Sequence, residues 1–266
     1  MFLDIDGVKL FTLDFGTGPR TLLAHSGWVG NFEDWIATLA PISKRWRTVV
    51  YDHRGTGETT VPVERITPQA LVDDIFRVLD SLRIDKCIVA GFSLGTRTVM
   101  RAVLRDPSRF EGLVLMNGNG GIADPAVPKP PVVPPSQWPG EGHDAHLRWF
   151  AEGCTPEPHS EHIRRWAMNI LRRAEPEAAE RLITMFATDA QPPLERPAAL
   201  AKLAIPVLLI HGRQDARVST SAMQYAASLI PGSHLEILDD TGHLPAMSQP
   251  DRVAKLILEY FEAPAH

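Results

Sequence analysis

The sequence predicts an α/β protein with a mostly parallel, twisted sheet, helices on both faces of the sheet and an inserted helical lid. Short, almost uniformly apolar strands alternate with amphipathic helices in the first half of the chain and again after residue 205. Strands of this kind are typical of a parallel sheet that is covered on both faces. The alternation breaks at Gly118, where a proline-rich stretch and three predicted helices separate two strands.

Residues 2–15 predict an antiparallel hairpin with its turn at Asp6 and Gly7. The helix over 67–82 has clear signals, because Thr67 is a suitable N-cap and Pro68 suits the first helical position. Its apolar residues also follow the 3.6-residue period. The other elements are indicated by shorter apolar runs. The predicted strands cover 21–25, 46–51, 87–92, 112–116, 206–211 and 234–238, and the predicted helices cover 32–39, 67–82, 94–106, 219–229 and 250–261.

The interruption after Gly118 predicts a lid. Residues 124–139 contain seven prolines, so this stretch should be extended and form neither a helix nor a central strand. Helices are predicted over 143–152, 160–173 and 176–188, and a second group of prolines follows (Pro192, Pro193, Pro197). About 70 residues is small for an independent domain. We therefore expect a core of 1–122 and 198–266, and a lid of 123–197 over the carboxyl ends of the strands, where ligands bind in such sheets.

The composition argues against several functions. The net charge is -5, so no basic surplus is available for nucleic acid. No apolar run is long enough to span a bilayer, and acidic residues near Met1 do not fit a signal peptide, so we expect a cytoplasmic protein without a membrane partner. Two cysteines without paired spacing fit a reducing compartment, with Cys87 as a buried thiol. No spacing resembles a metal site, and we expect neither a metal nor another cofactor.

A serine between two glycines is the main chemical signal. Gly91-Phe92-Ser93-Leu94-Gly95 follows a predicted strand and precedes a predicted helix. A serine on such a sharp turn needs small residues two positions away on either side, because the backbones crowd there. The turn exposes the hydroxyl beside a helix N-terminus, whose free N–H groups favour negative charge. Ser93 is therefore predicted to be a nucleophile.

A serine hydroxyl needs a base, and the base needs an orienting acid. Asp215 lies on the loop after the strand 206–211, and His243 lies on the loop after the strand 234–238. Both loops belong to the carboxyl edge of the sheet, and the order Ser93, Asp215, His243 is the order that this kind of site requires. His25 and His53 also follow strands and are expected near the site, but His25 precedes the nucleophile.

These segments together resemble the α/β-hydrolase superfamily, and in particular its small serine carboxylesterases and enol-lactone hydrolases. The resemblance covers nearly the whole chain outside the lid and implies the corresponding fold and a Ser/Asp/His triad. One departure is Met247-Ser248-Gln249, which lacks the glutamate that often follows the histidine. The supporting segments are Ser26-Gly27-Trp28 with Trp35, Asp52 to Gly57, Gly91 to Gly95, Gly212 to Asp215, and Gly242 to Pro245.

The oxyanion of an acyl-transfer reaction needs two N–H donors. The backbone of Leu94, directly after the nucleophile, is expected to supply one of them, and the loop after the strand 21–25 the other. The family usually has His-Gly there, whereas this chain has His25-Ser26-Gly27. If Gly27 matches the family glycine, Trp28 supplies the second donor; if His25 matches the family histidine, Gly27 does. The spacing to Trp35 favours Trp28.

The resemblance leaves the reaction open among three functions. The first is hydrolysis of a carboxylic ester or lactone with Ser93 as nucleophile. The second is hydrolysis of a carbon–carbon bond in a vinylogous diketone, and the third is a non-catalytic ligand receptor. Haloalkane dehalogenases and epoxide hydrolases are disfavoured because they carry an aspartate at the position of Ser93. Phe92, Trp138 and Trp166 are candidate contacts to a small-molecule substrate with an apolar part, and we expect a monomer or homodimer.

Overall fold

The computed structural model describes residues 1–122, 124–127, 131–188 and 197–263. The described strands form one eight-stranded sheet with the order β1-β2-β4-β3-β5-β6-β7-β8. The β1–β2 and β2–β4 pairs are antiparallel, and every other pair is parallel, which confirms the mostly parallel sheet. The strands are β1 (Phe2–Ile5), β2 (Val8–Phe15), β3 (Thr21–His25), β4 (Arg47–Tyr51), β5 (Cys87–Phe92), β6 (Phe110–Met116), β7 (Val207–Gly212) and β8 (His234–Leu238).

Helices cover both faces of this sheet. Thr67 caps α2, since its side chain accepts a hydrogen bond from the Ala70 N–H at 3.1 Å. Two short helices were not predicted: α7, which begins at Pro197, and α9, directly after His243. The helices are α1 (Glu33–Ile42), α2 (Pro68–Ser81), α3 (Gly95–Arg105), α4 (His143–Cys154), α5 (Glu161–Leu171), α6 (Pro176–Thr188), α7 (Pro197–Leu200), α8 (Thr220–Leu229), α9 (Pro245–Ser248) and α10 (Pro250–Glu262).

Alternate residues of the central strands build two separate cores. In β5, Cys87 and Val89 pack on the face covered by α2, α3 and α8. Ile88 and Ala90 pack on the opposite face, against α1 and α10. Side chains of a strand point alternately to its two sides, so a strand of six buried residues supplies both cores at once. The sheet is therefore held rigidly, and with it the loops at its carboxyl edge.

Helices α4 and α6, which lie between β6 and β7 in the sequence, contact that edge. Trp28, on the loop after β3, donates its indole N–H to the Ala179 carbonyl of α6 at 2.7 Å. The His243 N–H donates to the Cys154 carbonyl at the end of α4 at 2.9 Å. The predicted helices of this segment are present as α4, α5 and α6. Pro128, Pro130, Pro192 and Pro193 lie outside the described residues.

Within the described ranges, no helix has both the length and the apolar character that crossing a lipid bilayer would require.

Candidate active site

Ser93 occupies a sharp turn between β5 and α3. Its φ is +51°, in the left-handed region that side-chain-bearing residues seldom adopt. The turn requires both flanking glycines: a Cβ on Gly91 would lie 2.5 Å from Cγ2 of Val99, and a Cβ on Gly95 would overlap the Ser26 carbonyl oxygen. Close packing beneath the turn therefore explains the Gly-x-Ser-x-Gly pattern. Leu94 is the N-cap of α3, directly between Ser93 and the first helical residue, Gly95.

His243 connects Ser93 with Asp215. Its Nε2 atom lies 2.9 Å from Oγ of Ser93, and its Nδ1 atom lies 2.7 Å from Oδ2 of Asp215. The imidazole is buried and contacts the Phe92 ring, with 5.2 Å between ring centroids. The structure thus brings together the three residues that the sequence singled out on the loops after β5, β7 and β8.

Asp215 is a fully buried carboxylate with four hydrogen-bond donors around it. Oδ1 accepts from the backbone N–H groups of Arg217 and Val218 at 2.7 and 3.0 Å. Oδ2 accepts from His243 and from the Asn117 side chain. Burial raises the pKa of Asp215, but His243 and the two N–H groups outweigh it and lower the pKa to about 2. The carboxylate is therefore charged at neutral pH, and its hydrogen bond to Nδ1 of His243 is a charge-assisted one.

Asn117 is a site residue that the sequence did not single out. It is buried, directly after β6, with a φ of +46°. Its Nδ2 atom donates to Oδ2 of Asp215 at 2.7 Å and to the Gly242 carbonyl at 3.1 Å. Asn117 thus joins the loops after β7 and β8. The feature that could have indicated its role is its position immediately after β6. In the sheet, β6 lies between β5, which precedes Ser93, and β7, which precedes Asp215.

Two buried histidines support the loop after β3. Nδ1 of His25 donates to the Ser26 carbonyl and Nε2 of His53 to the Gly27 carbonyl, both at 2.9 Å. The rings stack with 5.0 Å between their centroids. Burial lowers the pKa of both, with His53 adding to the effect on His25, to about 3 for His25 and about 4 for His53. Both rings are therefore neutral at pH 7, and each has one N–H for its carbonyl.

This loop passes directly beside the nucleophile. A Cβ on Gly27 would lie 3.1 Å from Cβ of Ser93. The Trp28 indole points away from Ser93 into an aromatic cluster with Trp138 and Phe150, at centroid distances of 4.9 and 4.8 Å. Gly27 therefore lies against the nucleophile, and Trp28 also belongs to the pocket lining beside it.

A pocket of about 420 Å³, including its mouth, opens onto Ser93 and His243. Phe92, one of the three candidate substrate contacts, lines it. Trp138 and Trp166 do not belong to its described lining: Trp138 packs behind Trp28 and donates to the Val133 carbonyl, and Trp166 donates to Glu33 on α1. These two hydrogen bonds hold the indole rings of Trp138 and Trp166 outside the described pocket lining. The wall is formed largely by apolar residues of the loop after β3 and of α4 and α5, namely Val29, Phe150, Ala151, Ala167, Ile170 and Leu171.

The described part of the chain contains no group of three or more His, Cys, Asp or Glu side chains that could hold a metal ion. Cys87 is buried, and burial raises the pKa of its thiol far above the ordinary value. Cys154, at the end of α4, lines the pocket and is also buried, which raises the pKa of its thiol to about 12. Neither thiol is therefore ionised at neutral pH.

Comparison with known proteins agrees with this architecture. The sequence profile of the Alpha/beta hydrolase family matches residues 16–256. The chain is 26% identical to 3-oxoadipate enol-lactonase 2 of Acinetobacter baylyi over 251 residues, covering 93% of this chain and 91% of the relative. It is 25% identical to the pimeloyl-[acyl-carrier protein] methyl ester esterase of Nitrosospira multiformis, covering 95% and 98%.

A solved structure shows the same fold. The enol-lactonase from Burkholderia xenovorans LB400 superposes with a TM-score of 0.85 at 19% identity, covering 98% of this chain and all of that one. The family profile spans most of the chain, and the relatives are matched over nearly their full length. The resemblance inferred from the motifs is confirmed: this chain belongs to the alpha/beta hydrolase family.

Proposed function

We propose that this protein is a serine hydrolase that cleaves a carboxylic ester or lactone through an acyl-enzyme on Ser93. The supporting observation is the hydrogen-bonded series from Oγ of Ser93 through the His243 ring to Oδ2 of Asp215, at 2.9 and 2.7 Å. These distances suit proton transfer between a nucleophile and its base. The hydrolase relatives support the ester or lactone class.

In the first half of the reaction, Ser93 Oγ forms a bond to the substrate carbonyl carbon while its proton passes to Nε2 of His243. Asp215 holds Nδ1 and stabilises the imidazolium that results. The carbon–oxygen bond to the alcohol then breaks, and His243 gives its proton to that oxygen. In the second half, water attacks the acyl group with His243 as base, and the carboxylic acid leaves as Ser93 regains its proton. With a lactone, the alcohol stays attached to the acyl group.

Trp28 is our choice for the second oxyanion donor, beside Leu94. The Gly27 carbonyl accepts from His53, and in a trans peptide the next N–H, that of Trp28, points in the opposite direction. The Gly27 N–H instead lies close enough to the Asp34 carboxyl group to lower its pKa. The Trp28 N–H is thus directed away from His53, on a loop whose Gly27 lies against Ser93.

We further propose that residues 123–197 act as a lid on a core formed by 1–122 and 198–266. The supporting contacts are those of α4 with His243 and of α6 with Trp28. Phe150, Ala151 and Ala167, from α4 and α5, form part of the pocket wall. A largely apolar wall favours a small-molecule substrate with an apolar part.

A fluorophosphonate probe and a substrate panel test this function. The wild type should be labelled at Ser93 and should hydrolyse esters or lactones, and Ser93→Ala should lose both properties. Ser228→Ala, which removes an exposed serine of α8, is the matched control and should behave as wild type. Without labelling or turnover, the fold would instead serve as a ligand receptor. Turnover of vinylogous diketones but of no ester or lactone would favour the carbon–carbon hydrolase.

A further inference from the structure

The pocket beside Ser93 contains a carboxyl group that the proposed reaction does not use. Asp34, the second residue of α1, lines the pocket and is only 6% exposed. Its Oδ2 atom is buried and has no hydrogen-bond partner among the described residues. Asp34 supplies the only carboxyl group of the described lining, and neither lysine nor arginine belongs to that lining. The pocket therefore holds one carboxyl oxygen, Oδ2, to which no described residue donates a hydrogen bond of ordinary geometry, although the Ser26 side chain and the Gly27 N–H lie close to the carboxyl group.

The other buried aspartates near the sheet edge are fully partnered. Asp52 accepts from the backbone N–H groups of Phe32 and Glu58, both at 2.8 Å. Asp74 forms two hydrogen bonds with the buried guanidinium of Arg54, at 2.7 and 2.8 Å. A buried carboxylate without such partners destabilises a fold, and native proteins rarely retain one without a functional reason. Asp34 is the exception, and it faces the pocket.

The surroundings of Asp34 are also negative. Burial is the main cause that raises the pKa of Asp34, and the charges of Asp52 and Glu33 add to it; hydrogen bonding by Ser26 and by the Gly27 N–H partly offsets this, and the resulting pKa is about 7. A substrate group that brings a second negative charge would be repelled here. A group that donates a hydrogen bond, with or without positive charge, would satisfy Oδ2.

We propose that Asp34 is a specificity-determining residue that accepts a hydrogen bond from a hydroxyl or ammonium group of the substrate. The substrate is then an ester or lactone that carries such a donor on the part seated in the pocket, and that carries no carboxylate there. This inference rests on the proposed function, because it names the substrate class of the same site.

Gly30 supplies a second way to move the carboxyl group. A Cβ on Gly30 would overlap Oδ2 of Asp34, the mobile end of a side chain. Gly30→Ala therefore displaces the carboxyl group without removing it. The same change of selectivity from Gly30→Ala and from a substitution of Asp34 would identify the position of the carboxyl group as the cause.

Two matched series of esters provide the test. One series varies the end of the acyl chain and the other the end of the alcohol chain, and in each series the end is methyl, hydroxymethyl, ammonium or carboxylate. In one of the two series, at pH 8, where Asp34 is mostly ionised, the wild type should prefer the hydroxymethyl and ammonium ends over methyl by about ten-fold or more in kcat/KM, with carboxylate the poorest. Asp34→Leu and Gly30→Ala should abolish this preference. Asp34→Asn, which keeps an acceptor but no charge, should retain the hydroxymethyl preference and lose the ammonium preference.

Ser228→Ala, at the exposed serine of α8, is the matched control, because it changes neither the pocket lining nor the charges that act on Asp34. It should keep the wild-type ranking. Fluorophosphonate labelling of Ser93 is measured for every variant. Labelling with an unchanged ranking in Asp34→Leu, or a wild-type preference for methyl in both series, would overturn the role of Asp34 alone. A wild type that is neither labelled nor active would overturn the proposed function itself, and this inference with it.

Discussion

Nε2 of His53 lies 2.9 Å from the carbonyl oxygen of Gly27 and holds the peptide that joins Gly27 to Trp28. Because a carbonyl oxygen only accepts, the His53 ring must donate from Nε2. The peptide plane is then oriented from behind by a buried, neutral imidazole, and the Trp28 N–H on its other side is oriented with it. His53 therefore orients the loop after β3 that is proposed to supply the second oxyanion donor, the oxyanion loop.

Replacing His53 should lower turnover more than substrate binding. His53→Ala frees the Gly27 carbonyl, so the Trp28 N–H loses its fixed direction, and we expect kcat to fall by about 10- to 100-fold with little change in KM. His53→Gln, which keeps a side-chain N–H donor, should recover part of the loss. Steady-state kinetics on one ester measures both values. A rise in KM with an unchanged kcat would contradict a positioning role.

Ser93 should be a source of backbone strain. Its φ of +51° suits glycine and disfavours residues with a Cβ. Both Ser93→Ala and Ser93→Gly remove the hydroxyl, so their difference reports the backbone alone. We expect Ser93→Gly to be the more stable by about 1 kcal/mol in the free energy of unfolding, measured with urea. In an unstrained turn, Ser93→Gly would instead be the less stable variant by about 0.5–1 kcal/mol, the ordinary entropic cost of glycine relative to alanine.

Asn117 should support Asp215 rather than the fold alone. Removing its Nδ2 leaves Oδ2 of Asp215 with His243 as its remaining side-chain donor at hydrogen-bond distance, and we expect kcat/KM to fall by about ten-fold. Asn117→Gly is the better variant than Asn117→Ala, because glycine tolerates the φ of +46°. Thermal unfolding should show Asn117→Ala as the less stable of the two. Full activity in Asn117→Gly would mean that the amide is dispensable.

Gly95 should not tolerate a side chain. A Cβ there meets the Ser26 carbonyl oxygen, and both are backbone positions that cannot move independently. Gly95→Ala should push the oxyanion loop away from Ser93, lower Tm by several degrees and slow fluorophosphonate labelling by at least about 100-fold. Gly142→Ala is the comparison, because no atom lies within 4 Å of its added Cβ, so any loss of Tm there comes from its φ of +82° and not from a clash. It should label at the wild-type rate.

Asp34 should make stability depend on pH. The pKa of Asp34 is about 7 in the folded protein, whereas an ordinary aspartate has a pKa of 3.8. Between these values the folded chain therefore keeps a proton that the unfolded chain releases. The contribution of Asp34 to the free energy of unfolding therefore decreases as pH rises from about 4 to 7. Asp34→Asn does not titrate and should be more stable than wild type by up to about 4 kcal/mol at pH 8, but not at pH 4. A stability difference that stays constant over this range would contradict the raised pKa.

Much of the fold follows from local sequence patterns. The strands of the central sheet are short apolar runs between turn residues, and the helices have clear periods and caps, so their existence is visible without tertiary contacts. Ser93, Asp215 and His243 were located because each stands at a fixed place after such a strand. The helix α9 was missed because it is four residues long and follows His243 directly.

Other site features depend on packing that local patterns do not contain. Asn117 is an ordinary loop residue until β6 is known to lie between β5 and β7. Asp34 is an acidic residue in the first turn of a helix, which is a common exposed position, and only the fold buries it. Trp138 and Trp166 are large apolar residues of the inserted segment, which makes them candidates for substrate contact. The sequence does not indicate which side of that segment faces the pocket.

The backbone hydrogen bond from His243 to the Cys154 carbonyl joins the proposed base to the last residue of α4. Arg217, whose N–H binds Asp215, also donates from its guanidinium to the Phe150 carbonyl of the same helix at 2.9 Å. Both members of the acid–base pair are thus tied to a helix that forms the pocket wall. An engineer who randomises the end of α4 to admit bulkier substrates would therefore also alter the proton relay, so substrate scope and turnover would have to be selected together.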